Sequence, residues 1–117
     1  MHRAQAAIDQ EDLATALKLL NAVVKIEPNY FEGWNKRAMV HFLRKDYEQS
    51  LGDLRHVLAL EPRHFRAIHG LGLILQEYGE KKSALKAFRK VLEVYPHLDS
   101  AQQAVRELSR EVEGQSI

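Results

Sequence analysis

The chain contains no cysteine. That removes disulfides, thiolate-held metals and a cysteine nucleophile, and it leaves the compartment open. No stretch approaches the roughly 18 consecutive apolar residues of a membrane span. The opening MHRAQAAIDQ has no apolar segment of the kind a signal peptide needs. Neither sign of charge is in excess: 17 basic residues stand against 16 acidic ones, for a net charge of +1. No whole-chain attraction for nucleic acid or an anionic membrane follows, and no run of like charges forms a tail. Recognisable chemistry is equally sparse. No serine lies in a G-x-S-x-G elbow. There is no phosphate loop, and Gly70-Leu71-Gly72 falls inside a helical stretch. The six histidines are scattered, with His64 and His69 five residues apart and so on different helical faces. They read as surface or structural histidines. Carboxylate pairs such as Glu11-Asp12 sit at turns. No catalytic constellation, metal site or cofactor is expected, and the chain is not expected to be an enzyme.

Proline is also scarce, and its placement is informative. Pro28, Pro62 and Pro96 recur at a period of 34 residues, each closing a matching segment, VVKIEP, VLALEP and VLEVYP. Before the prolines run apolar stripes at steps of three and four: Leu13, Leu17, Leu20, Val24; Tyr47, Leu51, Leu54, Leu58; Leu85, Phe88, Leu92. Such steps mark one face of an α-helix. After the prolines, second helical stretches run from Phe31 to about Leu43, from Phe65 to about Tyr78 and from Asp99 to about Val112. Proline lacks an amide and clashes with the preceding turn, so each one separates two helices. Asn29 with Glu32, Asp46 with Gln49, and Asp99 with Gln102 have capping-box spacing. Gly79 suits a tight turn. With 45% hydrophobic residues the chain can bury a core. The expected unit is two antiparallel helices per period, stable only when stacked on its neighbours.

At this point the chain resembles the tetratricopeptide repeat (TPR) family, whose pattern is W-x2-L-G-x2-Y, A-x3-F and P. The stretch 65–98 has Leu71-Gly72, Ala84-x3-Phe88 and Pro96 in place. The stretch 31–64 has Trp34, Ala38, Ser50-x3-Leu54 and Pro62, and the first has Ala16-x3-Leu20 and Pro28. Arg37 stands where the family prefers Leu, and His41 and Leu75 where it prefers Tyr. The runs EGWNKRAMVHFLRKDYEQSL, LALEPRHF and GLGLILQEYG resemble bacterial and plant-organelle members, which adds no activity. The resemblance implies an all-α, right-handed α-α superhelix of about three antiparallel helix pairs plus a C-terminal capping helix. It implies one domain over 1–117: a truncated first repeat (1–30), repeats at 31–64 and 65–98, and a capping helix and tail (99–117). In that register Met1 is about the fifth place of its repeat, so the first helix is expected to be cut short, with an N-terminal region or signal peptide missing. The compartment stays open between cytoplasm and bacterial periplasm.

The resemblance also assigns ligand contact to the first helix of each pair. Carried over, the groove residues are Glu32, Asn35, Lys36, Met39 and Phe42, with Leu43, from one repeat, and Arg66, His69, Leu73 and Gln76, with Gly70 and Glu77, from the next. The last helix would add Ser100, Gln103, Glu107 and Arg110. Met39, Phe42 and Leu73 form either an apolar floor for a peptide side chain or a surface packed beneath another element. Asn35, Lys36, Arg66 and His69 supply donors for a carboxylate or carbonyl. The Lys–Asn–Arg clamp of the chaperone-binding members is not expected. Gly70 stands at one of its polar places, and Met1 and Gln5 would fill its first two. The expected function is a non-catalytic module binding a partner protein or peptide, with no nucleic acid and no membrane insertion. The alternatives are a self-associating scaffold, as a homo-oligomer, and an accessory domain of a larger protein.

Overall fold

The computed structural model describes residues 1–114. The tail at 115–117, grouped above with the capping helix, lies outside the described residues. Seven helices follow one another: α1 (His2–Asp9), α2 (Leu13–Ile26), α3 (Phe31–Leu43), α4 (Tyr47–Leu60), α5 (Phe65–Glu77), α6 (Lys81–Val94) and α7 (Asp99–Val112). No strand occurs among the described residues. The array is the all-α helical-repeat fold anticipated from the period.

The joints show why the period works. Within each pair the turn closes on a left-handed residue: Glu11 (φ 60), Lys45 (φ 65) and Gly79 (φ 75). The same two backbone bonds accompany each, as in Asp46 N–H to the His41 carbonyl (2.8 Å) and Lys45 N–H to the Phe42 carbonyl (2.9 Å). This is a Schellman closure, in which an αL residue lets the last carbonyls find donors. Only the third copy uses glycine, the residue that adopts αL without steric cost. Between pairs, Glu27, Glu61 and Tyr95 end α2, α4 and α6 with φ of −127, −140 and −137. Each precedes a proline, which drives its neighbour out of the α region. The Pro28 carbonyl accepts from Trp34 Nε1 (2.8 Å) and the Pro96 carbonyl from Gln102 Nε2 (2.8 Å), six residues on in both cases.

The expected capping boxes do not form. Helix α3 begins after Tyr30 and α7 after Leu98, so Asn29 lies one place too early and Asp99 one place too late to cap. Asp46 is at the N-cap of α4, but its side chain makes no capping bond. Caps form elsewhere: Asp12 accepts from Thr15 N–H (3.2 Å) and His64 Nδ1 from Ala67 N–H (3.1 Å).

The chain divides into two compact units, Met1–Pro62 and Arg63–Ile117. In the first, α1 packs on α2, α2 on α3 and α3 on α4. Its core holds Ala4, Ala7, Ala16, Leu20 and Val40, with Met1, Ile8 and Leu13 against it. In the second, α6 packs on both α5 and α7. Several stripe leucines are only half-buried. The deepest positions combine the small residues Ala16, Ser50 and Ala84 with Leu20, Phe88, Val57 and Val91. Small side chains let helix axes approach, so the large ones beside them carry the stripe. Ser50 shows the approach directly: its hydroxyl donates to the Ala38 carbonyl across the α3–α4 contact at 2.7 Å.

Candidate functional site

In the first unit the expected site residues lie along α3. Met39 is 39% exposed and Leu43 51%, four residues apart and therefore on one strip of the helix. Asn35 and Glu32 beside them are half-buried. Phe42 is also half-buried, and its ring leans on Tyr47 at 5.4 Å. Lys36 donates its ammonium to Gln5 Oε1 on α1. A neutral amide holds the ammonium without cancelling its charge, so the strip pairs exposed apolar surface with a positioned cation.

Beneath this strip lies a polar contact that the sequence pattern did not announce. Arg37 Nε donates to Asp53 Oδ2 (2.9 Å) and Nη2 to Oδ1 (2.7 Å), while Nη1 reaches Asn21 Oδ1 (3.2 Å). Asp53 is 4% exposed. The guanidinium also sits 5.0 Å over the Trp34 ring, whose other contact is a stack on His56 at 3.8 Å. His41 stands 3.9 Å from Asp53 and 3.8 Å from Asp46. The departures at Arg37 and His41 were the available signal: two cationic types at apolar places call for a buried acid nearby.

In the second unit, α5 and the start of α7 enclose a cleft of about 270 Å³ lined by Phe65, Arg66, His69, Leu98 and Ser100. Phe65 stacks on Tyr95 at 5.1 Å, and the Arg66 guanidinium lies 5.5 Å over the Phe65 ring. Three expected contact residues, Arg66, His69 and Ser100, thus meet in one cavity. Leu73 and Gln76 are half-buried on α5 outside its lining. Phe65 and Leu98 escaped the expectation because they stand at the entrance to their helices, outside the carried-over contact places.

His69 has partners within the second unit. Its Nε2 is already hydrogen-bonded to Ser100 Oγ (3.1 Å), and its ring meets Phe88 edge-on at 5.2 Å. Burial pushes its pKa below 6.5 because the imidazolium loses hydration there. At neutral pH it is an uncharged hydrogen-bonding group, and Arg66 is the cation of the cleft. Among the described residues no group of three or more His, Cys, Asp or Glu could hold a metal ion. No helix among them is long and apolar enough to cross a membrane.

Comparisons with known proteins agree with this architecture. Residues 65–98 match the family model of the tetratricopeptide repeat. A TPR repeat-containing protein of Rhizobium etli is 37% identical over 97% of this chain and 56% of its own length. The chain therefore spans little more than half of that curated relative. Among solved structures, the Arabidopsis OM64 TPR domain superposes with a TM-score of 0.90 at 18% identity, covering 95% of this chain and 92% of that one. The first TPR of Spaghetti (RPAP3) bound to the HSP90 peptide SRMEEVD also reaches 0.90 at 19% identity, covering 95% and 88%.

Proposed function

This chain belongs to the tetratricopeptide repeat family, whose fold serves as a protein-interaction module, and from that premise we propose that it is a non-catalytic module holding an extended segment of a partner protein. The segment carries an acidic or carbonyl-rich element beside an apolar side chain. The observation that carries this reading is the Phe65–Arg66–His69–Leu98–Ser100 cleft. Phe65 and Leu98 offer apolar contact, Arg66 a forked cation suited to a carboxylate, and His69 with Ser100 a neutral polar pair for a backbone group. Exposed Met39 and Leu43 with Lys36 supply the same combination on α3. The HSP90 peptide seated on the Spaghetti domain is acidic and apolar in the same way.

The terminal carboxylate is not the feature read. Gly70 occupies a clamp place, and in the register one repeat earlier Met1 and Gln5 fill the first two. A free-acid peptide and its amidated form should therefore bind alike. Affinity should be roughly micromolar, about −8 kcal/mol, because ordering a flexible segment offsets part of the gain. The test is titration of the full chain with labelled acidic–apolar peptides. Arg66→Glu should abolish binding. Lys18→Glu, an exposed site on α2, should not.

A further inference from the structure

Helix α6 carries Lys81, Lys82, Lys86, Arg89 and Lys90 against a single acid, Glu93. Two of the cations are satisfied across the contact with α7. Lys81 Nζ lies 3.1 Å from Glu111 Oε2, and Arg89 Nη2 lies 2.5 Å from Glu113 Oε1 and 3.3 Å from Ser109 Oγ. Lys82, Lys86 and Lys90 are different. They recur at every fourth residue, all three are exposed, and no carboxylate among the described residues pairs with them.

This stripe works against its own helix. Like charges four residues apart repel on a helix surface. Lys81 and Lys82 stand in the first turn, at the positive end of the helix dipole, where acids are favoured. The N-cap Glu80 makes no side-chain capping bond that would offset them. Nor does the repeat require the lysines: the equivalent places are Glu48, Gly52 and His56 on α4, and Ala14, Lys18 and Ala22 on α2. A local conflict that the scaffold does not impose points to an external counter-charge.

The surroundings identify the kind of counter-charge. The lysines line a cleft of about 590 Å³ between α6 and α7, together with Leu85, Val112 and two acids, Glu93 and Glu113. A flat anionic membrane or a polyphosphate would leave the apolar lining unused. Lysines one helical turn apart are spaced about 6 Å along the axis, the spacing of carboxylates at i, i+4 on a facing helix. We propose that the α6–α7 face docks an acidic amphipathic helix of a partner protein, its carboxylates on Lys82, Lys86 and Lys90 and one apolar side chain between Leu85 and Val112. The face shares no lining residue with the Arg66 cleft, so the two sites stand or fall separately.

The test titrates the full chain with a fluorescent helical peptide bearing glutamates at successive i, i+4 places and one leucine beside them, read by anisotropy. Saturable binding is expected, and K82E/K86E/K90E should weaken it about tenfold, roughly 1.4 kcal/mol. The triple variant keeps like charges four residues apart but puts an acid in the first turn of α6, and K82Q/K86Q/K90Q, which carries no like-charge repulsion, should weaken binding in the same direction. The glutamate variant should bind the charge-reversed lysine peptide as the native chain binds the acidic one. Arg66→Glu should leave this binding intact. The proposal is overturned if native and triple-variant chains bind the acidic peptide equally, or if replacing the leucine by serine changes nothing. Displacement of the peptide by phosphatidylserine vesicles or duplex DNA at equal charge would also overturn it, as would lysine-dependent dimerisation of the chain itself seen by light scattering.

Discussion

At the scale of residues, the clearest physical statement is the match between Gly72 and Phe88. A Cβ on Gly72 would stand 2.8 Å from Phe88 Cζ and 2.9 Å from Cε2. Phe88 is fully buried, so its ring has no space to retreat into. The equivalent pairs one and two periods earlier are Ala38 with Leu54 and Ala4 with Leu20, a larger small residue against a smaller large one. Gly72→Leu should therefore destabilise by about 1–3 kcal/mol through overpacking, read as a lower denaturant midpoint. Gly72→Ala combined with Phe88→Leu, which copies the Ala38–Leu54 pair, should be milder than Gly72→Leu. An unchanged midpoint in Gly72→Leu would refute the contact. The Arg37–Asp53 pair makes a second prediction. Asp53→Ala leaves a guanidinium that is only 20% exposed without its carboxylate, which should cost about 3 kcal/mol. Arg37→Leu with Asp53→Leu removes both charges and should recover most of that loss. A double variant as unstable as the single one would show that shape, not charge, sets the cost. His69 supplies the pH dependence. Its folded pKa lies below the ordinary 6.5, so burial of the neutral ring contributes stability that is present above about pH 6.5. As pH falls below that value the unfolded chain takes up the proton first, and the contribution is lost down to the folded pKa. His69→Gln should flatten the fall in stability below pH 6.5; parallel curves for the two proteins would remove His69 from the account.

At the scale of elements, α7 keeps the register of a first helix of the repeat. Ala101 and Leu108 are buried at the places that Ala67 and Ile74 hold in α5. At the place of Ala38 and Gly72, where the paired helix approaches closely, α7 has an exposed arginine, Arg106. The inner face thus keeps the repeat register while the outer face suits water. Removing residues 99–117 should uncover the apolar surface of α6 around Leu85 and Phe88, and arrays lacking such a cover self-associate. Sedimentation should show oligomers of the shortened chain; a monomer at high concentration would mean that α7 is not a cover. Arg89 illustrates why an element must be judged with its neighbours. On α6 alone it reads as an indifferent surface cation, yet it bonds Ser109 and Glu113 of the α7 region. Reversing its charge would disturb that contact, so it cannot serve as a neutral control for binding.

At the scale of the whole molecule, near-neutrality constrains how a partner is held. A chain of net charge +1 has little long-range field to steer an acidic ligand. Arg66→Glu and Lys18→Glu change that charge equally, each by two units, from +1 to −1. Equal loss of binding would favour a diffuse field. Loss confined to Arg66→Glu would place the partner on the cleft. Charge pairing at the cleft should also make binding weaken with added salt. The self-associating alternative is separated by solution mass, which should stay monomeric at the concentrations used for peptide titration.

Helix content and the approximate bounds of the helices after the prolines were determined by the sequence alone. The bounds Phe31–Leu43 and Asp99–Val112 follow from local periodicity and from prolines that act on adjacent residues. Exact caps were not legible: Asn29 and Glu32 have capping-box spacing, but α3 begins at Phe31, which makes Tyr30 its N-cap. Three of the five cleft residues were readable, namely Arg66, His69 and Ser100. Phe65 and Leu98 joined it only through the packing of α7 beside α5. Lys36 with Gln5, Arg37 with Asp53 and His69 with Ser100 were likewise decided by tertiary structure. These partners lie 16 to 31 residues apart. A periodic pattern places each on a face of its helix, but the distance between their charged and polar atoms depends on how closely neighbouring helices pack.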